Sequence, residues 1–312
     1  MKKTFIILLL LSSFSHLMAY SGSSYQYGHS AKYFSLSGAL VAADDYYTFQ
    51  SFSNPASLSY CDGNNYGISY FKMSLDRSIQ TFYFSRGLAG NAGVSLAILR
   101  SGTGGFMGKD SFNNPTHEIS MSDYYGLLSF GVNTGVVGNI GLTIKVHYSN
   151  LNINDQHEDR YTGNSIVLDM GWSKSISDQF KLGIKAENII NPLLNWNIDR
   201  GTGFPSSYTE TYPLIIAGGL FYSINTNHRL MLQGDYINYD SHKTYLSRIG
   251  YEYLISDKFS LRVGLKGQDN IGIGFGYIFD IHDSIPLLLD YSLDLGSEDE
   301  GISHLFTWSL NL

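Results

Sequence analysis

The sequence of 312 residues contains a single cysteine, Cys61, and only six prolines. One thiol cannot form a disulfide within the chain, so no disulfide framework is expected. No apolar run reaches the roughly 20 residues that a membrane-spanning helix needs. The best candidate, residues 5–11, is far shorter than that. We therefore expect no helical membrane anchor.

Positive charge is also scarce, with 20 Lys and Arg against 27 Asp and Glu. Such a chain lacks the basic surface that nucleic acid requires, so we expect no nucleic-acid partner. Charged residues make up only 15% of the chain and aromatic residues 14%, whereas a soluble surface usually carries more charge. The mean hydropathy of −0.08 argues against a helical membrane bundle and suits strands with one apolar and one polar face.

The N-terminus has the pattern of an export signal. Lys2 and Lys3 precede the apolar run at residues 5–11, and a small residue, Ala19, stands at the expected cleavage point. We predict a signal peptide over residues 1–19. The 20 basic residues fall to 18 once Lys2 and Lys3 are removed, against 27 acidic ones. No cysteine follows the expected cut directly, so a lipid-anchored protein is not expected.

The remainder of the chain alternates between apolar and polar residues. At its end, apolar side chains stand at positions 306, 308, 310 and 312, with polar ones between them. About a dozen further segments read the same way, with residues 79–87 as an exception, and this pattern is typical of a barrel with lipid on one side and water on the other. The fourteen predicted strands are residues 66–73, 79–87, 92–100, 124–134, 140–150, 165–173, 180–188, 212–223, 228–239, 244–255, 258–267, 270–279, 285–295 and 304–312.

The lengths of the connections support a membrane barrel. Short links follow the even-numbered strands, and long ones, at residues 101–123, 151–164, 189–211 and 296–303, follow odd-numbered strands. Outer-membrane barrels have short periplasmic turns and long external loops. We therefore predict a 14-stranded antiparallel transmembrane β-barrel in the bacterial outer membrane, with both termini periplasmic. A secreted β-sandwich or propeller would also alternate, but its strands are typically shorter than several of these.

About 45 residues between the expected cut and the first strand contain no strand pair and can fold into the lumen. We predict a plug segment over residues 20–64 and the barrel over residues 65–312. Three short motifs stand in the plug segment: Ser37-Gly38-Ala39, Ala43-Asp44-Asp45, and Asn54-Pro55-Ala56 followed by Leu58.

These motifs resemble the N-terminal signature of the PorV/PorQ group of barrels, which is related to the FadL-type transporters. That group reads approximately Gly-Gly-Ala, Ala-Asp-Asp and Asn-Pro-Ala-Gly-Leu-Ala. Residues 259–267 and 272–277 also fit the group, whereas Ser37 and Ser57 stand where glycine is usual. The resemblance implies a 14-stranded outer-membrane barrel with an N-terminal plug. Some members act in type IX secretion and others import hydrophobic compounds.

The plug motif has two possible roles. Asn54 before Pro55 favours an extended residue followed by a short helical turn through Ala56. Asp44 and Asp45 can accept backbone hydrogen bonds or pair with lumenal cations. With Gly38, these residues can fix the plug in the barrel, which is the favoured interpretation, or they can act directly in ligand binding or gating.

Strand parity also predicts charged side chains in the lumen. The signs are mixed, so these residues can form either a selectivity constriction or a salt-bridged network that joins wall and plug. The candidates are Lys145, Lys185, Asp235, Arg248, Glu252, Arg262 and Asp290.

The predicted external loop at residues 189–211 is rich in large apolar residues. Leu193, Leu194, Trp196 and Phe204 can form a contact surface for a partner, or they can fold onto the rim of their own barrel. Both alternatives remain open from the sequence.

No catalytic motif, metal-ligand spacing or phosphate-binding loop is apparent, so no catalytic residues, no metal and no cofactor are predicted. We expect a non-enzymatic, secretion-associated or accessory barrel, with a FadL-like channel for hydrophobic compounds as the alternative. A barrel hydrolase is disfavoured because no inward Ser-His pair stands out. The expected partners are outer-membrane lipid, lipopolysaccharide and a secretion-machinery or cargo protein, or a small hydrophobic solute in the alternative.

Overall fold

The computed structural model describes residues 22–43, 49–154, 159–190, 192–200, 205–239, 242–267, 270–281, 285–295 and 301–312. The expected signal peptide, Asp44, Asp45 and Phe204 lie outside these residues. The strands are β1 (Asn64–Lys72), β2 (Arg77–Leu88), β3 (Ala92–Lys109), β4 (Pro115–Asn133), β5 (Asn139–Asn154), β6 (Arg160–Ser175), β7 (Phe180–Ile190), β8 (Leu193–Asp199), β9 (Ser206–Thr211), β10 (Leu214–Ser223), β11 (His228–Tyr239), β12 (His242–Ser256), β13 (Phe259–Lys266), β14 (Asn270–Ile281), β15 (Ile285–Asp294) and β16 (Ser303–Asn311).

Fourteen of these strands form a closed antiparallel barrel. The first strand, β1, pairs with both β2 and β16, and β5 pairs with both β4 and β6, so the ring has no open edge. The remaining two strands, β8 and β9, form a hairpin, and β8 pairs with the first residues of β6, 160–164. The predicted fold class and all fourteen predicted strands are confirmed. Among the described residues, no helix has the length and apolar character needed to cross a membrane.

The two faces of the wall follow the two-residue period of the sequence. On β5, Ile144 is 47% exposed on the outer face, whereas its neighbours Thr143 and Lys145 are buried in the lumen. The same alternation holds around the ring and gives an apolar outer belt for lipid. A shift of one residue would place lysines in that belt.

The two ends of the barrel differ. At one end, here called the short-turn end, Asp257 and Lys258 alone connect β12 to β13, and Asn64 and Leu312 exchange backbone hydrogen bonds of 2.8 Å. At the other end, the predicted loops at residues 101–123, 151–164 and 189–211 are mostly strand. Residues 101–123 and 151–164 lack the apolar alternation by which the other strands were predicted, yet their backbones continue to pair beyond the apolar belt. Residues 193–199 and 206–211 pair with each other as a hairpin. We call the projecting parts of β3 to β6, together with β8 and β9, the extended sheet.

The N-terminal segment lies inside the barrel as three short helices and one 3-10 helix. These are α1 (Ser23–Tyr27), α2 (Ala31–Ser35), α3 (Gln50–Ser53) and the 3-10 helix Pro55–Tyr60. The hydroxyl of Ser30 caps α2 by accepting from the amide of Tyr33 at 3.2 Å. We call residues 22–43 and 49–60 the plug. The main hydrophobic core lies between the plug and the inner face of the wall.

Candidate functional site

The candidate site is the interface between the plug and the wall, and its first component is a set of lumen-facing glycines. Five of them lie side by side on five adjacent strands, each in direct register with the next. We call this row the glycine track; it consists of Gly87, Gly93, Gly131, Gly141 and Gly171.

The plug backbone lies directly on the glycine track. A Cβ added to Gly93 would lie 2.3 Å from the carbonyl oxygen of Leu58, and one added to Gly131 would lie 2.4 Å from that of Pro55. Such distances are far below van der Waals contact, so a larger residue would force the plug away from the wall. The Asn54-Pro55-Ala56 motif therefore lies against the inner face of the wall at positions that carry no side chain.

The carboxamide of Asn54 joins the plug to the wall. Its Oδ1 accepts from the amide of Ala56 at 3.0 Å and so caps the 3-10 helix that begins at Pro55. Its Nδ2 donates to the carbonyl oxygens of Val41 at 2.7 Å and Trp172 at 3.0 Å. Asn54 is fully buried, so each of these bonds replaces a bond to water.

Gly38, near the middle of the plug, also lies against the wall. Its φ of +73° lies in the left-handed region, and a Cβ would lie 2.5 Å from Nη1 of Arg248. The same nitrogen of Arg248 donates to the carbonyl oxygen of Ser37 at 3.1 Å. A second row of paired glycines, Gly250, Gly264 and Gly272, makes room for the backbone around Leu36.

The lumenal charges predicted from strand parity are all buried, and they form ion pairs. On β7, Lys185 Nζ lies 2.9 Å from Glu187 and donates to the carbonyl oxygen of Phe52 in the plug at 2.6 Å. Glu187 in turn accepts from Gln26 of the plug at 2.6 Å. Lys145 pairs with Asp169 at 3.2 Å. Both signs of charge thus contact the plug directly.

The other predicted lumenal charges form two further groups. Arg248 pairs with Asp235 at 2.6 Å, and it also binds the plug through Ser37. Arg262 bridges Glu252 and Asp290. Lys32 of α2 lies 3.9 Å from Glu252. Each of the three groups of wall charges therefore reaches a residue of the plug.

A polar cluster that the sequence did not reveal lies near the start of the plug. Asp123 of β4 accepts hydrogen bonds from Ser24 of α1 at 2.8 Å and from Ser149 at 2.6 Å. His147 lies beside Asp123 at 3.2 Å, and its other ring nitrogen contacts the hydroxyl of Tyr212. An inward His-Asp-Ser group is thus present, but Ser149 donates to Asp123 instead of to His147. The cluster ties α1 to the wall.

One sector of the lumen wall is apolar. Inward side chains on or next to β16 and β1 to β4 are hydrophobic there, and we call them the apolar sector: Phe71, Met73, Ile79, Tyr83, Ala97, Leu99, Tyr125, Leu127 and Leu305. The plug faces this sector with its aromatic residues. The rings of Phe49 and Tyr83 lie 5.2 Å apart, and those of Tyr25 and Tyr125 lie 5.3 Å apart.

The apolar residues of the predicted external loop do not share one environment. Leu193 is 37% exposed, whereas Leu194 is buried against Val167 and Tyr212, and Trp196 packs on the same cluster. Leu194 and Trp196 therefore pack onto their own barrel, which is one of the two alternatives that the sequence left open. Their side of β8 faces the lumen, which explains their burial.

The single cysteine, Cys61, lies buried where the plug joins β1. Burial raises the pKa of its thiol, although hydrogen bonds with Ser85 and Asn65 act in the opposite direction. In the part of the chain that the structure describes, no group of three or more His, Cys, Asp or Glu residues could hold a metal ion.

Solved structures share this architecture at low sequence identity. The toluene transporter TbuX of Ralstonia pickettii aligns with a TM-score of 0.64 and 11% identity, covering 89% of this chain and 98% of that one. The Pseudomonas putida toluene transporter TodX gives 0.62 and 13%, with 90% and 98% covered. A Pseudomonas aeruginosa FadL homologue gives 0.59 and 10%, with 90% and 97% covered. No protein-family model and no curated protein matches the sequence.

These alignments show the class of fold. The chain is a closed 14-stranded antiparallel β-barrel with the same fold as these solved barrels, and an N-terminal helical segment lies inside it. Membership of the PorV/PorQ group stays a prediction from the sequence motifs.

Proposed function

We propose that this protein is a non-enzymatic outer-membrane channel for small hydrophobic compounds, closed by its plug. The short-turn end of the barrel, where the chain ends at Leu312, then lies at the periplasmic face, and the extended sheet projects from the cell. This is the alternative of the two functions expected from the sequence. The likeness in fold to toluene transporters supports it over a secretion-associated barrel.

The observation that carries the proposal is the apolar sector. Water-filled barrels have polar lumens, yet here one side of the wall presents Phe71, Leu99 and Leu127 to the lumen. A hydrophobic compound that moves between this sector and the plug exchanges one apolar contact for another, at little cost in desolvation. The charged opposite side of the wall binds the plug in its closed position.

The compound passes only when the plug moves, because the plug fills the space beside the apolar sector. This dependence can be tested by locking the plug with a disulfide. The hydroxyls of Ser51 in α3 and Ser95 on β3 lie 2.9 Å apart and are both buried. Cysteines at these two positions are within bonding reach. Cys61→Ser removes the native thiol from the background.

The experiment measures uptake of toluene by cells that produce the Ser51→Cys/Ser95→Cys variant in the Cys61→Ser background. We expect uptake to be low after oxidation and to return to the level of the Cys61→Ser parent after reduction. The two single cysteine variants serve as matched controls and should be insensitive to oxidant. Equal uptake by the oxidised and reduced forms, or no uptake by the parent, would contradict the proposal.

A specific feature favours a second candidate function, that of a secretion-associated barrel of the PorV/PorQ type. In the extended sheet, β9 pairs with β8 only, and its other edge carries no strand in the described part of the chain. An exposed edge can pair with an extended segment of a partner or cargo protein. Thr209→Pro would remove one edge donor, because Tyr212 donates its amide to Pro192 and the alternation of an antiparallel pair then turns the amide of Thr209 toward the free edge. If this function is correct, that variant should lose partner co-purification while toluene uptake stays absent in every form.

A further inference from the structure

The extended sheet carries a groove of about 660 Å³ on its outer face. The groove lies on β3 to β6, and its lining includes Ser120, Tyr148, Asn150, Asn152 and Arg160. Asn150 and Asn152 have the same parity on β5 as the lipid-facing residues of that strand, and the pairing of β5 with β4 and β6 shows no register shift. The groove therefore faces away from the lumen, directly above the lipid belt.

The floor of the groove is organised in cross-strand rows. Ser120, Asn152 and Arg160 pair across β4, β5 and β6 in one row, and Ser122, Asn150 and Thr162 pair in the next. Side chains directly opposite each other on one face lie close enough to bind one ligand together. The rows thus present amides, hydroxyls and a guanidinium side by side.

The row nearest the lipid belt is aromatic. Tyr124 and Tyr148 pair across β4 and β5, with ring centroids 6.2 Å apart, and both are at least 40% exposed. Tyrosines at this height are typical of the interface between lipid and headgroups. Arg100 lies 5.9 Å above the Tyr124 ring on the same face. The groove therefore begins where the acyl chains end.

This composition indicates the kind of ligand. Amide and hydroxyl side chains both donate and accept hydrogen bonds, as sugar hydroxyls do. The charged groups of the lining are mixed, with Arg160 beside Glu118 and Asp159, so the amides and hydroxyls carry the recognition. The groove lacks the apolar centre of a stable protein interface, which disfavours a protein partner.

We propose that this groove binds the core sugars of lipopolysaccharide in the surrounding outer leaflet. The inference rests on the proposed outer-membrane location, because only there does a glycolipid headgroup lie at this height against the wall. Asn150 and Asn152 bind sugar hydroxyls, and Tyr148 packs against a sugar ring.

The test compares the double variant Asn150→Ala/Asn152→Ala with the full-length wild-type protein in nanodiscs. One nanodisc preparation contains rough lipopolysaccharide and another contains phosphatidylglycerol. Asn238→Ala is the matched control, because Asn238 lies on β11 with the parity of the outer face and outside the groove. The readout is the amount of lipopolysaccharide retained after detergent extraction and purification.

We expect the double variant to retain about tenfold less lipopolysaccharide, and Asn238→Ala to retain the wild-type amount. Phosphatidylglycerol retention should be equal in all three proteins. Equal lipopolysaccharide retention by the double variant and the wild type would overturn the proposal. So would binding of soluble, delipidated core oligosaccharide by a wild-type protein that does not retain the intact glycolipid.

Toluene uptake separates this inference from the function on which it rests. The double variant should transport toluene as the wild type does, because the groove lies outside the lumen. If the double variant loses both toluene uptake and lipopolysaccharide retention, the separate roles assigned to groove and lumen are contradicted. If the wild type takes up no toluene but its lipopolysaccharide retention still depends on Asn150 and Asn152, only the proposed channel function is contradicted.

Discussion

The carboxamide of Asn54 occupies the space that Gly171 leaves open on β6. A Cβ on Gly171 would lie 2.0 Å from Oδ1 of Asn54, the atom that caps the 3-10 helix of the plug. Asn54 thus lies against a wall position at which only glycine fits. This relationship makes the position of the plug testable by single substitutions.

Gly171→Ala should displace the plug, because the new Cβ cannot coexist with Asn54 in its place. We expect a cost of about 1–3 kcal/mol to the plugged state. The buried thiol of Cys61, the only one in the chain, reports the displacement by reacting faster with a maleimide. Gly126→Ala is the control, since a Cβ there has no neighbour within 4 Å. Equal labelling of the two variants would show that the plug does not depend on this contact.

Asn54→Asp should release the plug by a different route. The substitution replaces three donated hydrogen bonds by a carboxylate that faces the carbonyl oxygens of Val41, Trp172 and Ile184. Burying an unpaired charge beside acceptors costs several times the roughly 1 kcal/mol of an ordinary hydrogen bond. Limited proteolysis should then cut the plug in the folded barrel. The exposed Asn195→Asp variant should resist the protease as the wild type does.

Lys185 and Glu187 should be strongly coupled. Lys185→Met leaves Glu187 buried without its closest cation and frees the carbonyl oxygen of Phe52. We expect this single change to cost roughly 3–5 kcal/mol of unfolding free energy, and adding Glu187→Gln to recover part of it. Urea unfolding of both single variants and the double variant gives the coupling. Additive costs would mean that the pair acts independently.

Ile144→Arg should destabilise the barrel without affecting the plug. Ile144 is exposed on the lipid face of β5, where an arginine costs about 2–4 kcal/mol near the middle of the bilayer. Reduced resistance of the folded form to heat on a gel measures the loss. Ile144→Leu keeps the apolar face and should behave as wild type. A heat-stable arginine variant would place this side chain away from lipid.

The orientation of the barrel predicts which tags can be reached from outside the cell. An epitope inserted between Asn113 and Asn114, at the tip of the β3–β4 hairpin, should label on intact cells. One inserted after Thr226, in the short turn between β10 and β11, should label only after the outer membrane is permeabilised. Surface labelling of the second tag would reverse the orientation proposed here.

The sequence alone determined the number of strands in the barrel, the two faces of the wall and the short turns. These properties depend on local alternation, since residues two apart on a strand share a face whatever the strand pairs with. The parity of β5 thus placed Ile144 on the outer face and Lys145 in the lumen, as the structure has them. The plug motif was also visible in the sequence, but its contacts were not.

Only the tertiary structure decided which residues far apart in the sequence come into contact. The glycine track depends on the register of five strands, so Gly87 and Gly171 become members of one row only when the sheet is paired. Ser24 and Asp123 meet across 99 positions of sequence. The sequence did not predict the extended sheet, because its strands pair through backbone groups. Every residue carries these groups, so their pairing leaves no apolar pattern in the sequence.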